Sequence, residues 1–316
     1  MGITVLSLFD GMSCGQIALQ KSGIKVDNYY ASEIKKYGIQ VTQENYPNTI
    51  QIGDVTKVSY KDGLLITENG TFNVGKIDLL IGGSPCQNFS IACIKDKRLG
   101  LKGEKSKLFY NFLELLNQVK PKHFLLENVA SMDKESQSQL NEYLGTTAVN
   151  INSKEFVGAL RNRLYWTNIP IPPIKSTETN WLSALDGGYV NKKYSPCLLE
   201  GHSRPTSDKL RLVRRYFEKS FIPVVFESKQ SYENIVVHFN RNYKGLTAKE
   251  VDAKRDGIDN SIYDTVRVLS SGEMERLQGV PNGYTKSIDR NKAASLLGDG
   301  WTVDVISHIF NGLRTL

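Results

Sequence analysis

Residues 3–22, ITVLSLFDGMSCGQIALQKS, decide the fold of this chain. Ile3–Phe9 is a β-rich apolar run that stops at Asp10-Gly11, and Gly15–Ser22 has the apolar spacing of a helix. A strand that turns through Asp-Gly into a helix is the repeating unit of a parallel α/β sheet. The chain repeats this unit to about residue 168.

The same alternation predicts the remaining elements of this part. The further strands are predicted at Val26–Ser32, Ile50–Gly53, Ile77–Ile81, His123–Glu127, Ala148–Asn152 and Arg163–Thr167. The further helices are predicted at Lys36–Asn45, Ser106–Lys120 and Glu135–Leu144. Nearly continuous apolar strands between helices favour an α/β fold with a doubly wound, mostly parallel sheet.

The pattern changes after residue 168. Three prolines in Ile169–Ile174 indicate a linker. Residues 175–264 show no clean alternation and contain the short β-like runs Phe221–Phe226 and Ile235–Phe239. We predict a first domain over 1–174, a smaller irregular domain over 175–264, and a segment 265–316 that returns to the first domain. Two helices are predicted in that last segment, at Ser270–Val280 and Lys292–Leu313.

Composition limits the class of protein. The chain has 316 residues, of which 40% are hydrophobic and 23% are charged, as in a globular protein rather than a disordered one. Four cysteines exclude a disulfide scaffold. No apolar stretch approaches the ~18–20 residues that cross a membrane, and the start carries no secretory signal pattern. We therefore expect a cytoplasmic protein that contacts no membrane.

The net charge of +7 comes from one internal segment. Between Gly187 and Lys249 there are twelve Lys and Arg against five Asp and Glu, an excess of seven. The rest of the chain is neutral. Such a segment favours a polyanionic partner, although a merely solvated basic face is the alternative.

Residues that carry chemistry follow the predicted strands, where parallel sheets bind their ligands. They are Asp10-Gly11, Glu33, Asp54, Pro85-Cys86 and Glu127-Asn128, after the first five strands in turn. Glycine after the first strand lets a ligand approach the backbone, and Glu33 lies where an acid commonly binds ribose hydroxyls. Because no phosphate-binding Lys-Ser/Thr motif is present, a nucleoside-type cofactor without a triphosphate is preferred.

Cys86 and Glu127 are predicted to lie side by side at two adjacent strand ends. A cysteine in a Gly-flanked loop is well placed to react as a thiolate. A carboxyl group in a dry site can donate a proton. An inert core cysteine and a surface carboxylate are the alternatives. The four histidines are too scattered for a metal site.

Six motifs in order resemble those of the cytosine-C5 DNA methyltransferase family. They are LFDG (8–11), SPCQ (84–87), LENV (126–129), RNRLYW (161–166), EMERLQG (273–279) and GDGWTV (298–303). The residues in these motifs are most similar to those of compact phage or bacterial members and of the vertebrate de novo enzymes. The resemblance implies a Rossmann-like methyltransferase fold with a target-recognition domain at 175–264.

The resemblance also implies a reaction and its residues. A cytosine is flipped out of duplex DNA, and its carbon 5 is methylated from S-adenosylmethionine through a cysteine adduct at carbon 6, leaving S-adenosylhomocysteine and needing no metal. Cys86 is the implied nucleophile and Glu127 the acid at ring N3, while Arg163 holds the base oxygen with support from Arg161.

The resemblance also implies binding residues, with most of the DNA contacts placed in the basic segment of the target-recognition domain. Those for the cofactor are Phe9, Asp10, Gly11, Met12, Cys14, Glu33, Ile34, Asp54, Val55, Pro85, Leu108, Asp299, Gly300 and Trp301. Those for DNA are Gln87, Ser90, Arg204, Lys209, Arg211, Arg214 and Arg215. The expected partners are double-stranded DNA and, in a restriction–modification pair, a cognate endonuclease. We expect a monomer.

Two positions depart from the family pattern. Ala159-Leu160 stands where many members have Gln-Arg, and Asp299 replaces the usual Asn. Two other functions are the alternatives. A tRNA cytosine methyltransferase would carry a Cys-Phe-Thr signature, which the chain lacks. A catalytically dead DNA-binding module would not need Cys86, Glu127 and the arginine pair.

Overall fold

The computed structural model describes residues 2–84, 107–203, 206–219 and 222–315. Its strands are β1 (Ile3–Leu8), β2 (Val26–Ser32), β3 (Ile50–Gln51), β4 (Ser59–Lys61), β5 (Leu64–Thr67), β6 (Gly70–Asn73), β7 (Leu79–Gly82), β8 (His123–Val129), β9 (Val149–Asn152), β10 (Asn162–Thr167), β11 (Val225–Phe226) and β12 (Val266–Arg267). Its helices are α1 (Cys14–Lys21), α2 (Lys36–Asn45), α3 (Lys107–Val119), α4 (Lys134–Leu144), α5 (Lys209–Lys219), α6 (Lys229–Asn242), α7 (Ala248–Lys254), α8 (Ser271–Leu277), α9 (Arg290–Asp299) and α10 (Val303–Phe310).

The chain divides into two compact units. The first falls within residues 1–153, 162–175 and 300–316. The second falls within residues 154–161 and 176–299.

A seven-stranded sheet forms the centre of the first unit, in the order β3-β2-β1-β7-β8-β10-β9. The five strands from β3 to β8 run parallel to their neighbours, whereas β10 runs antiparallel to both β8 and β9. The predicted doubly wound, mostly parallel sheet is confirmed. The reversed direction of β10 was not part of that prediction.

Apolar strands and one apolar helix stripe build the core of this unit. In β1, Leu6 and Leu8 are fully buried, and α3 buries Phe109, Phe112 and Leu115 in the same cluster. These positions in α3 recur every three residues, as on one face of a helix. Each such side chain contributes about 1.5–3 kcal/mol when fully buried.

The C-terminal helix α10 packs against α1 within the first unit. The Ser22 hydroxyl, which follows α1, lies 3.0 Å from the carbonyl of Ser307, and Lys21 forms an ion pair with Asp304. This packing holds the residues just before α10 at the sheet.

A three-stranded antiparallel sheet, β4-β5-β6, was missed by the sequence analysis. Its first turn is Asp62-Gly63, with φ angles of 51° and 83°. Asp-Gly between two alternating runs is a strong hairpin signal, because both turn residues need positive φ. Along β5, Leu65 is fully buried and its neighbours Leu64 and Ile66 are exposed, as that alternation requires.

The second unit is more helical than predicted. The run Ile235–Phe239, taken as β-like, lies inside α6, and that prediction is wrong. Ile235 and Phe239 are buried four residues apart, which is the helical period, and the Ser228 side chain caps the helix by accepting the Ser231 N–H at 3.0 Å. In the described part of Phe221–Phe226, only Val225–Phe226 is a strand. No helix in the described ranges is long and apolar enough to cross a membrane.

Candidate active site

Four residues come directly after one row of paired residues that crosses four neighbouring strands of the central sheet. The ladders pair Leu8 with Ser32 and Gly82, and Gly82 with Leu126. The residues that follow these four are Phe9, Glu33, Gly83 and Glu127. Parallel pairing therefore brings the predicted residues Phe9, Glu33 and Glu127 to one edge of the sheet.

The loop after β1 has an unusual backbone. Phe9, Gly11 and Ser13 have φ angles of 59°, 65° and 60°, in the left-handed region. This conformation is costly for Phe9 and Ser13, which carry a Cβ, and persists only where surrounding contacts enforce it. Such strained backbone clusters at ligand sites.

Asp10 supplies the contacts that hold this loop. Its carboxylate accepts hydrogen bonds from the hydroxyls of Ser7 (2.6 Å), Tyr29 (2.8 Å) and Ser13. Burial raises the pKa of Asp10 above its ordinary value, although these hydrogen bonds act in the opposite direction. The side chain therefore shapes the loop.

Glu33 joins the loop to the end of β2. Its Oε2 accepts the N–H of Gly11 at 2.7 Å, and its Oε1 accepts the N–H groups of Ile34 and Lys35 at 2.7 and 2.8 Å. A carboxylate has about four acceptor positions, so a further hydroxyl can be accommodated. Next to it, the side chain of Ile34 is 70% exposed.

The other predicted cofactor residues near this edge differ in their hydrogen bonds and in their burial. Asp54 accepts the N–H and hydroxyl of Thr56, both at 2.9 Å, and so caps the turn that contains Val55. The side chains of Met12, Cys14 and Val55 are buried, and Leu108 packs on the core. The three buried residues therefore present little surface to a ligand at this edge.

Glu127 lies on β8 with a donor at each carboxylate oxygen. Arg163 Nε lies 2.8 Å from Oε1, and the indole Nε1 of Trp301 lies 3.2 Å from Oε2. Glu127 is only 7% exposed. In the antiparallel ladder Glu127 pairs with Tyr165, and Arg163 is two residues away on the same face. Diagonal neighbours of this kind lie within reach of long side chains.

Gly83 lies next to the Glu127 carboxylate and the Trp301 indole. A Cβ at Gly83 would lie 2.7 Å from Trp301 Nε1 and 3.1 Å from Glu127 Oε2. The first distance is shorter than real contacts allow. The absence of a side chain at position 83 is therefore required for the observed contact between Trp301 and Glu127.

Asn128 anchors the start of the segment that carries Cys86. Its Nδ2 donates to the carbonyl and hydroxyl oxygens of Ser84, at 3.3 and 3.2 Å. The predicted site residues Pro85, Cys86, Gln87, Ser90 and Arg204 lie outside the described residues.

Arg161 has a different environment from Arg163. It is 4% exposed within the second unit, where its guanidinium donates to the carbonyls of Leu198 and Gly298 at 3.1 Å and of Asp299 at 3.4 Å. These bonds hold α9 to residues 197–198. The Asp299 side chain is exposed, and Gly300 follows it at the start of the segment carrying Trp301.

Four predicted DNA-contacting residues lie on α5, and two of them are bound within the second unit. Lys209 Nζ donates to the carbonyl of Val266 at 2.7 Å. Arg214 donates to Glu218 at 2.7 Å and to the carbonyl of Leu246 at 2.9 Å. Arg211 is exposed and Arg215 is half-buried.

A comparison with family models finds a match in the first part of the chain. The model described as C-5 cytosine-specific DNA methylase matches residues 3–151. This segment, somewhat less than half of the chain, is similar to C-5 cytosine-specific DNA methylases. The resemblance predicted from the six motifs is thereby confirmed at the level of the family.

Curated relatives are named methyltransferases, and a solved structure shares the fold. The type II methyltransferase M.NgoBV of Neisseria gonorrhoeae is 26% identical over 286 residues, which are 79% of this chain and 64% of that protein. The orphan methyltransferase M.SPRI of Bacillus phage SPR is 32% identical over 188 residues, which are 56% of this chain and 40% of that protein. The chain thus spans less than two thirds of each relative. The S. pombe Dnmt2 methyltransferase structure shares the fold, with a TM-score of 0.66 at 15% identity over 100% of this chain and 99% of that one.

Sequence reasoning missed two members of the Glu127 group. Trp301 was expected only as a cofactor-binding residue, and Gly83 was not among the expected site residues. No local pattern joins them to Glu127, because they meet through the pairing of β7 with β8 and the packing of α10 against α1.

Proposed function

We propose that this protein is a DNA (cytosine-5-)-methyltransferase, which transfers a methyl group from S-adenosylmethionine to carbon 5 of a cytosine flipped out of duplex DNA. The observation that carries the proposal is a buried carboxylate, Glu127, bonded to Arg163 at the sheet edge that also holds Glu33. The match of residues 3–151 to the C-5 cytosine-specific DNA methylase model supports the same reaction.

The residues at the end of β1 and β2 fit the cofactor. The Glu33 carboxylate has room for a ribose hydroxyl, the left-handed loop at Gly11 exposes backbone without a side chain, and the exposed Ile34 offers an apolar face to a base. When bound, S-adenosylmethionine supplies an electrophilic methyl group. Asp10 holds the loop in place, and Asp54 lies at the rim where an adenine amino group could bond.

The chain's own residues activate the base in this proposal. The Cys86 thiolate forms a bond to carbon 6 while Glu127 gives a proton to ring N3, so the electrons that leave the ring double bond make carbon 5 nucleophilic. Arg163 orients Glu127 and offsets charge at the base oxygen. After methylation, carbon 5 loses its proton to solvent and the carbon–sulfur bond breaks, which returns Cys86 as a thiolate. Ring N3 then gives its proton back to Glu127.

The second part of the proposal concerns DNA. Residues 175–264 are assigned to target recognition and 265–316 to a segment that returns to the catalytic domain, as the motif order implies. On α5, the exposed Arg211 is the best candidate for a phosphate contact, since Lys209 and Arg214 bond to backbone carbonyls. The half-buried Arg215 stays a candidate. Arg161 is retained as a supporting residue that acts through the backbone it holds.

The biological setting is also part of the proposal. M.NgoBV is named a type II methyltransferase and M.SPRI an orphan methyltransferase. We propose a monomeric protein that acts in the cytoplasm of a bacterial host, either with a cognate restriction endonuclease or without one.

Methyl transfer from tritiated S-adenosylmethionine to duplex DNA tests the reaction. We expect Cys86→Ala to abolish transfer and Glu127→Gln to lower kcat about 100-fold or more, because general acid catalysis contributes roughly 10²–10⁴-fold. The matched control Glu142→Gln changes an exposed glutamate of α4 and should leave kcat unchanged. Transfer by Cys86→Ala at the wild-type rate would reject the nucleophile.

Two further substrates sharpen this test. DNA carrying 5-fluorocytosine should trap a covalent adduct with the wild-type protein, since fluorine cannot leave carbon 5 as a proton does. A tRNA transcript assayed beside the duplex separates DNA from RNA methylation. Transfer to tRNA alone would replace the proposed substrate.

A further inference from the structure

We infer that Trp301 positions the acid Glu127 through its indole N–H, beyond serving as an apolar wall for the cofactor. The inference rests on the proposed function, because it assigns a role in the reaction of the same site. Its direct observation is the 3.2 Å contact between Trp301 Nε1 and Glu127 Oε2.

The two donors hold different oxygens of one carboxylate. Arg163 Nε binds Oε1 at 2.8 Å from β10, and Trp301 binds Oε2 from the segment before α10. With Arg163 alone, the carboxyl group could still turn about the bond that joins it to the side chain. A second donor from a different element fixes this rotation, and so fixes where a base must place N3.

The chemistry of the indole suits this role. Its Nε1–H is a donor without an acceptor position, so it can only bond to the carboxyl oxygen and cannot compete for the proton that Glu127 delivers. It also leaves one acceptor position of Oε2 open for the base. Hydrogen bonds to a charged partner are worth about 1.5–3 kcal/mol, which corresponds to about 10- to 100-fold in rate if the bond is lost from the transition state.

The surrounding structure fixes Trp301 itself. The next residue, Thr302, is buried and its hydroxyl lies 2.9 Å from the hydroxyl of Ser153. Gly83 has no Cβ to push the indole away. The ring is therefore held from its own backbone and across the strand end.

Trp301→Phe separates the two roles. Phenylalanine keeps an apolar ring and removes the N–H, so we expect kcat to fall about tenfold or more while the Kd for S-adenosylmethionine changes less than threefold. An unchanged kcat with weakened cofactor binding would show that the Trp301 ring serves only as an apolar contact for the cofactor, and would overturn the inference. Trp301→Ala should lose both kcat and cofactor affinity.

A matched control removes an indole bond elsewhere in the same unit. The Nε1 of Trp166 donates to Asn141 Oδ1 at 2.7 Å, and this side chain is fully buried. Trp166→Phe should lower the melting temperature and leave kcat of the folded protein within twofold. An equal loss of kcat in both variants would mean a general packing effect.

An NMR measurement tests the contact without any reaction. The chain has three tryptophans, so ¹⁵N-labelled protein gives three indole N–H signals, which Trp→Phe variants assign. We expect Glu127→Ala to shift the Trp301 signal upfield and to leave the Trp166 signal in place. A Trp301 signal that does not move would overturn the inference. Absence of methyl transfer by the wild-type protein, by contrast, would reject the proposed function alone.

Discussion

Gly83 shows how a single atom determines the geometry of the acid. A Cβ at this position would lie 2.7 Å from the indole Nε1 of Trp301 and 3.1 Å from Oε2 of Glu127. Both partners are also held by bonds of their own, so neither can move away cheaply.

We therefore predict that Gly83→Ala lowers kcat about tenfold or more. The added methyl group must push Trp301 from Glu127, and overpacking of this kind costs about 1–3 kcal/mol. Methyl-transfer kinetics and thermal unfolding measure the two effects. Gly257→Ala is the control, because a Cβ there meets open space. Wild-type kinetics in Gly83→Ala would refute the tight contact.

The sequence predicts which residues belong to the site better than it predicts which of them contact one another. Glu33 and Glu127 were found because each follows an apolar strand, a position that the local pattern reveals. The bond between Arg163 and Glu127 was not foreseen as such, because it depends on the direction and register of β10. An antiparallel ladder that pairs Tyr165 with Glu127 cannot be read from either strand alone.

At the scale of elements, helix α8 begins with a buried capping box. The side chain of Ser270 and that of Glu273 each accept a backbone N–H at the helix start, and Glu273 also bonds to Arg267 at 2.7 Å through both oxygens. Glu273 is fully buried, and its hydrogen bonds and the ion pair outweigh burial and lower the pKa of its carboxyl below 4.5.

We predict that Glu273→Gln destabilises the protein by about 2 kcal/mol at pH 7. This is less than the ~3–5 kcal/mol of a fully buried pair, because Arg267 is partly exposed. Since the folded pKa lies below the unfolded one, the contribution of Glu273 is complete above about pH 4.5 and is lost as pH falls through the lowered pKa. The gap in melting temperature between wild type and variant should therefore narrow at acid pH.

The chain contains its own control for this prediction. Glu250 occupies the same capping-box position in α7, together with Thr247, but is exposed. Glu250→Gln should leave the melting temperature unchanged. A difference between Glu273→Gln and wild type that stays constant from pH 7 to pH 3 would contradict the electrostatic cause.

Elements of the first unit were more predictable than those of the second. Val26–Ser32 and Lys36–Asn45 have the predicted bounds, because strands and helices that pack on one large core keep a clear period. Helix α6 was misjudged because Ile235, Val236 and Val237 are β-branched, and β-branched runs favour strands unless tertiary burial decides otherwise.

For the whole molecule, the uneven distribution of charge predicts a division of labour: the basic segment of the second unit binds DNA, and cofactor binding does not depend on it. Arg211 is exposed on α5 and Arg215 is half-buried, within the basic segment of the second unit. Charge reversal at each should weaken binding to a random-sequence duplex about tenfold and reduce the slope of log Kd against log salt by about one. The Kd for S-adenosylmethionine should not change.

Two other substitutions make this prediction specific. Lys76→Glu reverses an exposed charge in the first unit and should leave DNA binding unchanged. Arg214→Glu should instead lower the melting temperature, because Arg214 bonds to Leu246 and Glu218. Equal loss of cofactor and DNA binding in the Arg211 and Arg215 variants would refute the division of labour.

The antiparallel direction of β10 determines where the chain tolerates inserted residues. Because the ladder with β8 sets Arg163 opposite Val129, the length of the connection between these strands does not determine where the guanidinium lies. Residues added to an exposed turn of that connection should leave the ion pair with Glu127 intact. One residue added inside β10 would turn Arg163 to the opposite face of the sheet.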